Sequence, residues 1–229
     1  MTYVQEWKAF DVTVADGVAE VTLIGPGKGN AMGPDFWSEL VPLFGALDVD
    51  GDVRAVVLTG SGKNFSYGLD LPAMAGDFGK VLADNAKARP RTEFHDTIKR
   101  MQAGINAVAD CRKPVIAAVA GWCIGGGVDL ITAADIRLAS ADAKFSVREV
   151  RVAIVADMGS LARLGGIIGE VHELFLSDRQ IFTGPGELLS DALQAAFDEP
   201  RHDREHRTTP PPRPPTGGPE PGRQGPRVM

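Results

Sequence analysis

The chain has 229 residues, 44% hydrophobic and 24% charged, ordinary proportions for a globular protein with a substantial core. A formal charge of −6 excludes the broad basic face that nucleic-acid binding needs. Two cysteines, Cys111 and Cys123, cannot build a disulfide framework and read as the reduced thiols of a cytosolic protein.

Residues 1–10 lack the basic start and apolar core of a secretory signal, in keeping with that compartment. Phe10, Val12 and Val14 alternate with polar residues, Val18 to Ile24 does likewise, and the two runs flank Asp16-Gly17, a two-residue hairpin signal. A helix is predicted from Pro34, which suits a first helical turn, to about Leu47. Val53 to Thr59 holds the unbroken apolar stretch Val56-Val57-Leu58 and is predicted as a buried strand. A glycine-rich loop, Gly60 to Asp70, follows. Residues 92–111 form the clearest helix, with Phe94, Ile98, Met101, Ile105 and Val108 on one face. Val115 to Ala120 is a second buried strand. The apolar run it opens, ending at Val128, is too short and too rich in glycine to span a bilayer. Gly126 to Ala134 is predicted as a helix, with short strands at Ile136 to Ala139 and Lys144 to Ser146. Strands alternating with helices indicate an α/β fold. From about Asp198 the composition changes to Pro, Arg, Gly and Thr. Nine of the 16 prolines lie in residues 198–229, and with so little apolar surface to bury this tail is predicted to be disordered.

The chemistry concentrates after one triple glycine. Gly125-Gly126-Gly127 stands between a strand and a helix, so its N–H groups are first donors of that helix without intrahelical partners. The missing Cβ atoms let a ligand carbonyl approach, and the helix dipole favours negative charge there. Asp129 falls one turn further along the same face. The glycines could equally serve tight strand-to-helix packing alone. Glu149 and Asp157 follow; each by itself is no more than a surface glutamate or a helix N-cap ahead of Met158-Gly159-Ser160. Phosphate-loop patterns fail: Val57 stands where the first glycine belongs, and Asn64 where Ser or Thr belongs. No nucleophile–histidine pair and no metal-ligand spacing is present around His95, His172, His202 or His206.

Several motifs in order across residues 10–183 resemble the crotonase (enoyl-CoA hydratase/isomerase) superfamily. They are Gly29-Asn30-Ala31-Met32, Lys63 to Asp70 (KNFSYGLD), and Lys113-Pro114-Val115 through Gly127. The resemblance implies a spiral of repeated ββα units and two backbone N–H groups, of Leu69 and Gly126, that hold the thioester oxygen of a CoA substrate. It implies CoA binding near Lys28, Ala31, Ser66, Gly68, Asp70 and Leu71. CoA is then the substrate carrier, with no separate cofactor and no metal. Hydratases in the superfamily carry Glu at both acid positions, whereas Asp129, Glu149 and Asp157 are similar to the trio of the Δ3,5-Δ2,4-dienoyl-CoA isomerase branch. On that resemblance Glu149 is the base at C2 and Asp129 the acid at C6, while Asp157 tunes or orients Glu149. A homotrimer or hexamer of a protein of fatty-acid β-oxidation is implied as well.

Residues 1–183 are thus expected to be the catalytic core, residues 184–197 a residual helix, and residues 198–229 a tail that replaces the family's C-terminal helical region. The tail's composition resembles out-of-frame translation of GC-rich sequence. Two alternatives stand beside the isomerase: an enoyl-CoA hydratase with Asp129 in place of Glu, and an inactive remnant that presents Pro210 to Pro215 as a polyproline ligand.

Overall fold

The computed structural model describes residues 6–25, 28–82, 87–149, 155–168 and 182–183, all within the unit Met1–Phe197. The residual helix expected at 184–197 and the tail expected at 198–229 in place of a C-terminal helical region lie outside the described residues. The chain opens with the expected hairpin, β1 (Phe10–Ala15) and β2 (Val18–Leu23). Asp16 and Gly17 take φ of 53° and 83°, the two left-handed positions that let a two-residue turn follow the strand twist. Alternation then decides the faces: Phe10, Ala19, Val21 and Leu23 are buried, and Asp11, Thr13 and Glu20 are exposed.

From β2 onward the pairing in the first sheet is parallel. β3 (Ala55–Gly60) lies beside β2, β4 (Val115–Val119) beside β3, and β6 (Ile136–Ala139) beside β4, giving the order β1-β2-β3-β4-β6. A second sheet holds β5 (Trp122–Ile124), β7 (Lys144–Ser146) and β8 (Phe182–Thr183) in that order. Single parallel bridges, Met32 to Leu69 and Ser66 to Cys123, extend this wall through the earlier turns. Each circuit of the chain therefore adds a rung to both walls and then a helix: α1 (Pro34–Val49), α2 (Leu71–Leu82) with α3 (Ala88–Ala109), α4 (Gly126–Ala133) and α5 (Ser160–Ile168). This is the repeated ββα spiral.

The core forms where α1 meets the first sheet. Phe36 packs against Phe10 at 5.2 Å and against Trp37 at 4.9 Å, and Leu40, Leu43, Phe44 and Leu47 are fully buried behind them. Phe36→Ala is expected to cost about 3–5 kcal/mol of stability, because the surrounding rings cannot collapse into the space left. A urea denaturation curve with an unchanged midpoint would contradict this.

The structure departs from the sequence prediction in identifiable places. Helix α2 has no sequence prediction, because Gly76 and Gly79 weaken its helical pattern. Strand β5 is three residues long and exists through its partner β7. Strand β8 has no sequence prediction either, and the one signal for α5 is the N-cap reading of Asp157. Helix α3 begins at Ala88, four residues earlier than expected, and ends at Ala109. Of its predicted face, Met101, Ile105 and Val108 are buried, but Phe94 and Ile98 are only partly covered and line a cavity instead. No helix among the described residues is long and apolar enough to cross a membrane.

Candidate active site

The loop between β3 and α2 is held by one buried side chain. Asn30, itself at φ 52°, donates through Nδ2 to the carbonyls of Ser61, Asn64 and Phe65 at 2.9, 2.9 and 3.1 Å. Ser66 is fully buried; its hydroxyl donates to the Asn30 carbonyl (2.8 Å) and accepts from the Gly68 N–H (3.0 Å). Met32 N–H donates to the Gly68 carbonyl, and Asp70 N–H to the Met32 carbonyl. These bonds leave the Leu69 N–H, between them, without an acceptor among the described residues. Gly68 is required here: its φ is 80°, and a Cβ would meet the Ile124 carbonyl oxygen at 2.5 Å.

The triple glycine arrives opposite. Gly125, at φ 53°, caps α4 and donates its N–H to the Ser146 carbonyl, whereas Gly126 is the first helical residue, with an N–H that nothing within the helix accepts. A Cβ on Gly126 would stand 3.0 Å from Met32 Sδ and 3.8 Å from the Leu69 nitrogen; one on Gly68 would stand 3.1 Å from the Gly126 nitrogen. The two free donors therefore lie side by side. Gly127 packs against Ser66 and Cys123, so the packing explanation of the glycines and the ligand explanation apply to different members of the triplet.

Leu69, Gly125 and Gly126 share one cavity of about 380 Å³ with all three acids. Asp129, on α4, is 1% exposed, and its Oδ1 accepts the Ser160 N–H at 2.7 Å. It thus caps α5 from 31 residues away, the capping role that local sequence suggested for Asp157. Burial pushes its pKa up, and the Ser160 N–H opposes that rise. Glu149 lies against Gly125, with Oε1 3.2 Å from where a Cβ would be. Its Oε2 is buried without a partner among the described residues. Burial, aided by the charges of Asp129 and Asp157, raises its pKa to about 7, and nearby backbone N–H groups offset this only in part. Asp157 is more open; burial again raises its pKa, and its carbonyl accepts from Gln102 Nε2 at 2.8 Å.

The expected CoA-binding residues divide by location. Leu71 lines the cavity; Lys28 is exposed and Ala31 partly so. Ser66 and Gly68 are buried in the brace just described, and Asp70 caps α2 by accepting the Ala73 N–H at 3.0 Å. Sequence reasoning missed Gln102 and Ser160, which hold the acids from distant elements, and it passed over Arg148 beside Glu149, which also lines the cavity. The motif Asn-Ala at 30–31 was the one signal for Asn30. Among the described residues no group of His, Cys, Asp and Glu could hold a metal ion, and both cysteines are free.

Residues 13–181 match the sequence model of the enoyl-CoA hydratase/isomerase family. The chain is 47% identical to the human mitochondrial Delta(3,5)-Delta(2,4)-dienoyl-CoA isomerase over 167 residues, which are 72% of this chain and 51% of that protein. It is 46% identical to the peroxisomal isomerase of the same name from Arabidopsis thaliana over 161 residues, 69% of this chain and 58% of that one. The chain spans little more than half the length of these curated relatives. The solved enoyl-CoA hydratase/carnithine racemase of Magnetospirillum magneticum superposes with a TM-score of 0.67 at 27% identity, covering 80% of this chain and 65% of that one.

Proposed function

Because the chain belongs to the enoyl-CoA hydratase/isomerase family, we propose that it converts 3,5-dienoyl-CoA into 2,4-dienoyl-CoA, the reaction for which its curated relatives are named. One observation carries this reading: three carboxylates and the two free N–H groups of Leu69 and Gly126 border a single, mostly apolar cavity. The N–H pair takes the thioester oxygen. Glu149, against Gly125, is then next to the carbon adjoining the thioester and removes the C2 proton. The resulting trienolate spreads its charge over the oxygen, C2, C4 and C6, and the two donors stabilise the oxygen; one such donor is worth about 3 kcal/mol in other enzymes. A proton delivered at C6 completes the shift, with no net gain or loss of protons. CoA is the carrier of the substrate, and the reaction requires no further cofactor or metal.

Two carboxylates remain for C6. Asp129 is the one implied by resemblance; Asp157 is the one its geometry favours. Asp129 is 1% exposed and has an oxygen committed to α5, whereas Asp157 is more open and its carboxylate is held only by its own backbone N–H among the described residues. On this reading Asp129 fixes the start of α5 and its charge helps keep Glu149 weakly acidic.

The first test mixes the full chain with a 3,5-dienoyl-CoA and follows the ultraviolet absorbance of the conjugated product. A rise is expected; faster hydration of a simple 2-enoyl-CoA would replace the isomerase with a hydratase. The base must be ionised to act, so kcat/KM should climb through the apparent pKa of about 7 and be roughly tenfold lower at about pH 6 than at about pH 8. A flat profile would remove Glu149 from the role. The family's trimer or hexamer and the cytosolic location belong to the same proposal. The relatives' names are mitochondrial and peroxisomal, and finding the protein in such an organelle fraction would overturn the location.

A further inference from the structure

The cavity continues beyond the acids between two helices, and both measure the same distance along it. Helix α2 starts two residues after Leu69 and turns Leu71, Met74 and Phe78 toward the cavity. Helix α3 comes back with Phe94, Ile98 and Met101 on the opposite wall. Phe78 and Phe94 meet edge to face, with ring centroids 5.1 Å apart and planes at 66°. From Leu71 to Phe78 is seven residues, about 10 Å of helix. On α3, Gln102 marks the acid end through its bond to Asp157, and Phe94 stands eight residues earlier, about 12 Å away. Of the described cavity-lining side chains on these two helices, Thr97 alone is polar, so a polar chain end would lose its water with little in return.

We infer that the Phe78–Phe94 pair sets the length of acyl chain that this site accepts, which makes its substrates medium-length aliphatic acyl-CoAs. This rests on the thioester being held by Leu69 and Gly126, as proposed above. An extended chain advances about 1.2 Å per bond, a third of the span of an extended residue, so a reach of about 10–12 Å accommodates roughly eight to ten carbons. A longer chain must part the two rings and give up their edge-to-face contact.

The test uses the full chain and two independent readouts. Calorimetry with saturated acyl-CoAs from hexanoyl to hexadecanoyl measures binding without any chemistry, and 3,5-dienoyl-CoAs of the same lengths measure kcat/KM. Affinity should grow with each added carbon up to about decanoyl and stop growing beyond it. Phe78→Ala and Phe94→Ala should raise the tetradecanoyl-to-octanoyl affinity ratio about tenfold or more, the scale of discrimination by one or two methylenes in an apolar pocket. Phe78→Trp, which keeps the wall filled, should move the break to shorter chains. A break that stays at one length in all three variants, or no break at all, overturns the inference. If length-dependent binding persists while no dienoyl-CoA is isomerised, the length-setting pair stands and the proposed reaction falls. If isomerisation runs without any dependence on length, the reverse holds.

Discussion

Glu149→Gln is expected to reduce isomerisation of a 3,5-dienoyl-CoA about a thousandfold and, at the same time, to make the protein more stable at alkaline pH. The first effect follows from removing the base while keeping the side chain's shape; general acid–base groups typically contribute 10²- to 10⁴-fold. The second follows from linkage. Burial raises the Glu149 pKa from 4.5 to about 7, so the folded protein holds a proton that the unfolded chain releases earlier. The stabilisation from that proton is fully present below about pH 4.5 and is lost as pH rises through about 7. Glutamine never ionises. The variant should therefore match the wild type near pH 4.5 and exceed it above pH 8 by up to about 3 kcal/mol. Urea melts at both pH values check this. Equal wild-type and variant stability at both would mean that the carboxylate is not desolvated, and an unchanged rate would move the C2 proton to another group.

The second large effect separates the two aspartates. Asp157→Asn is expected to lower kcat by about 10²- to 10³-fold, since the amide cannot return a proton to C6. Asp129→Asn should cost less. The amide oxygen can still accept the Ser160 N–H and keep the start of α5, while loss of the charge relieves Glu149 and moves the rising limb of the pH profile below 7. Steady-state kinetics across pH for both variants decide between them. If Asp129→Asn brings the larger loss with an unmoved limb, Asp129 is the acid and Asp157 its helper.

The sequence alone carried the elements whose signals are local. Asp16-Gly17 determined the first hairpin, because few residue pairs adopt two successive left-handed positions. Pro34 marked the start of α1, and the apolar periodicity of α3 was readable over most of its length. The three acids and the triple glycine were likewise legible, as residue types in a recognisable order.

What they do was decided in three dimensions. Helix α2 could not be read through Gly76 and Gly79; its apolar face is defined by the cavity that it borders. Periodicity assigned Phe94 and Ile98 to the same buried stripe as Met101, and only the position of α2 opposite them turns that stretch into a cavity wall. The same holds for the acids. A carboxylate's pKa and freedom depend on what surrounds it, and those neighbours come from remote segments: Ser160 for Asp129, Gly125 for Glu149, Gln102 for Asp157. Local sequence offered an N-cap as the alternative to a catalytic role for Asp157, but Asp129, across the fold, accepts the Ser160 N–H. Residue chemistry was written in the chain; burial, hydrogen-bond partners and therefore proton affinity came from packing, which brings together segments that no local pattern connects.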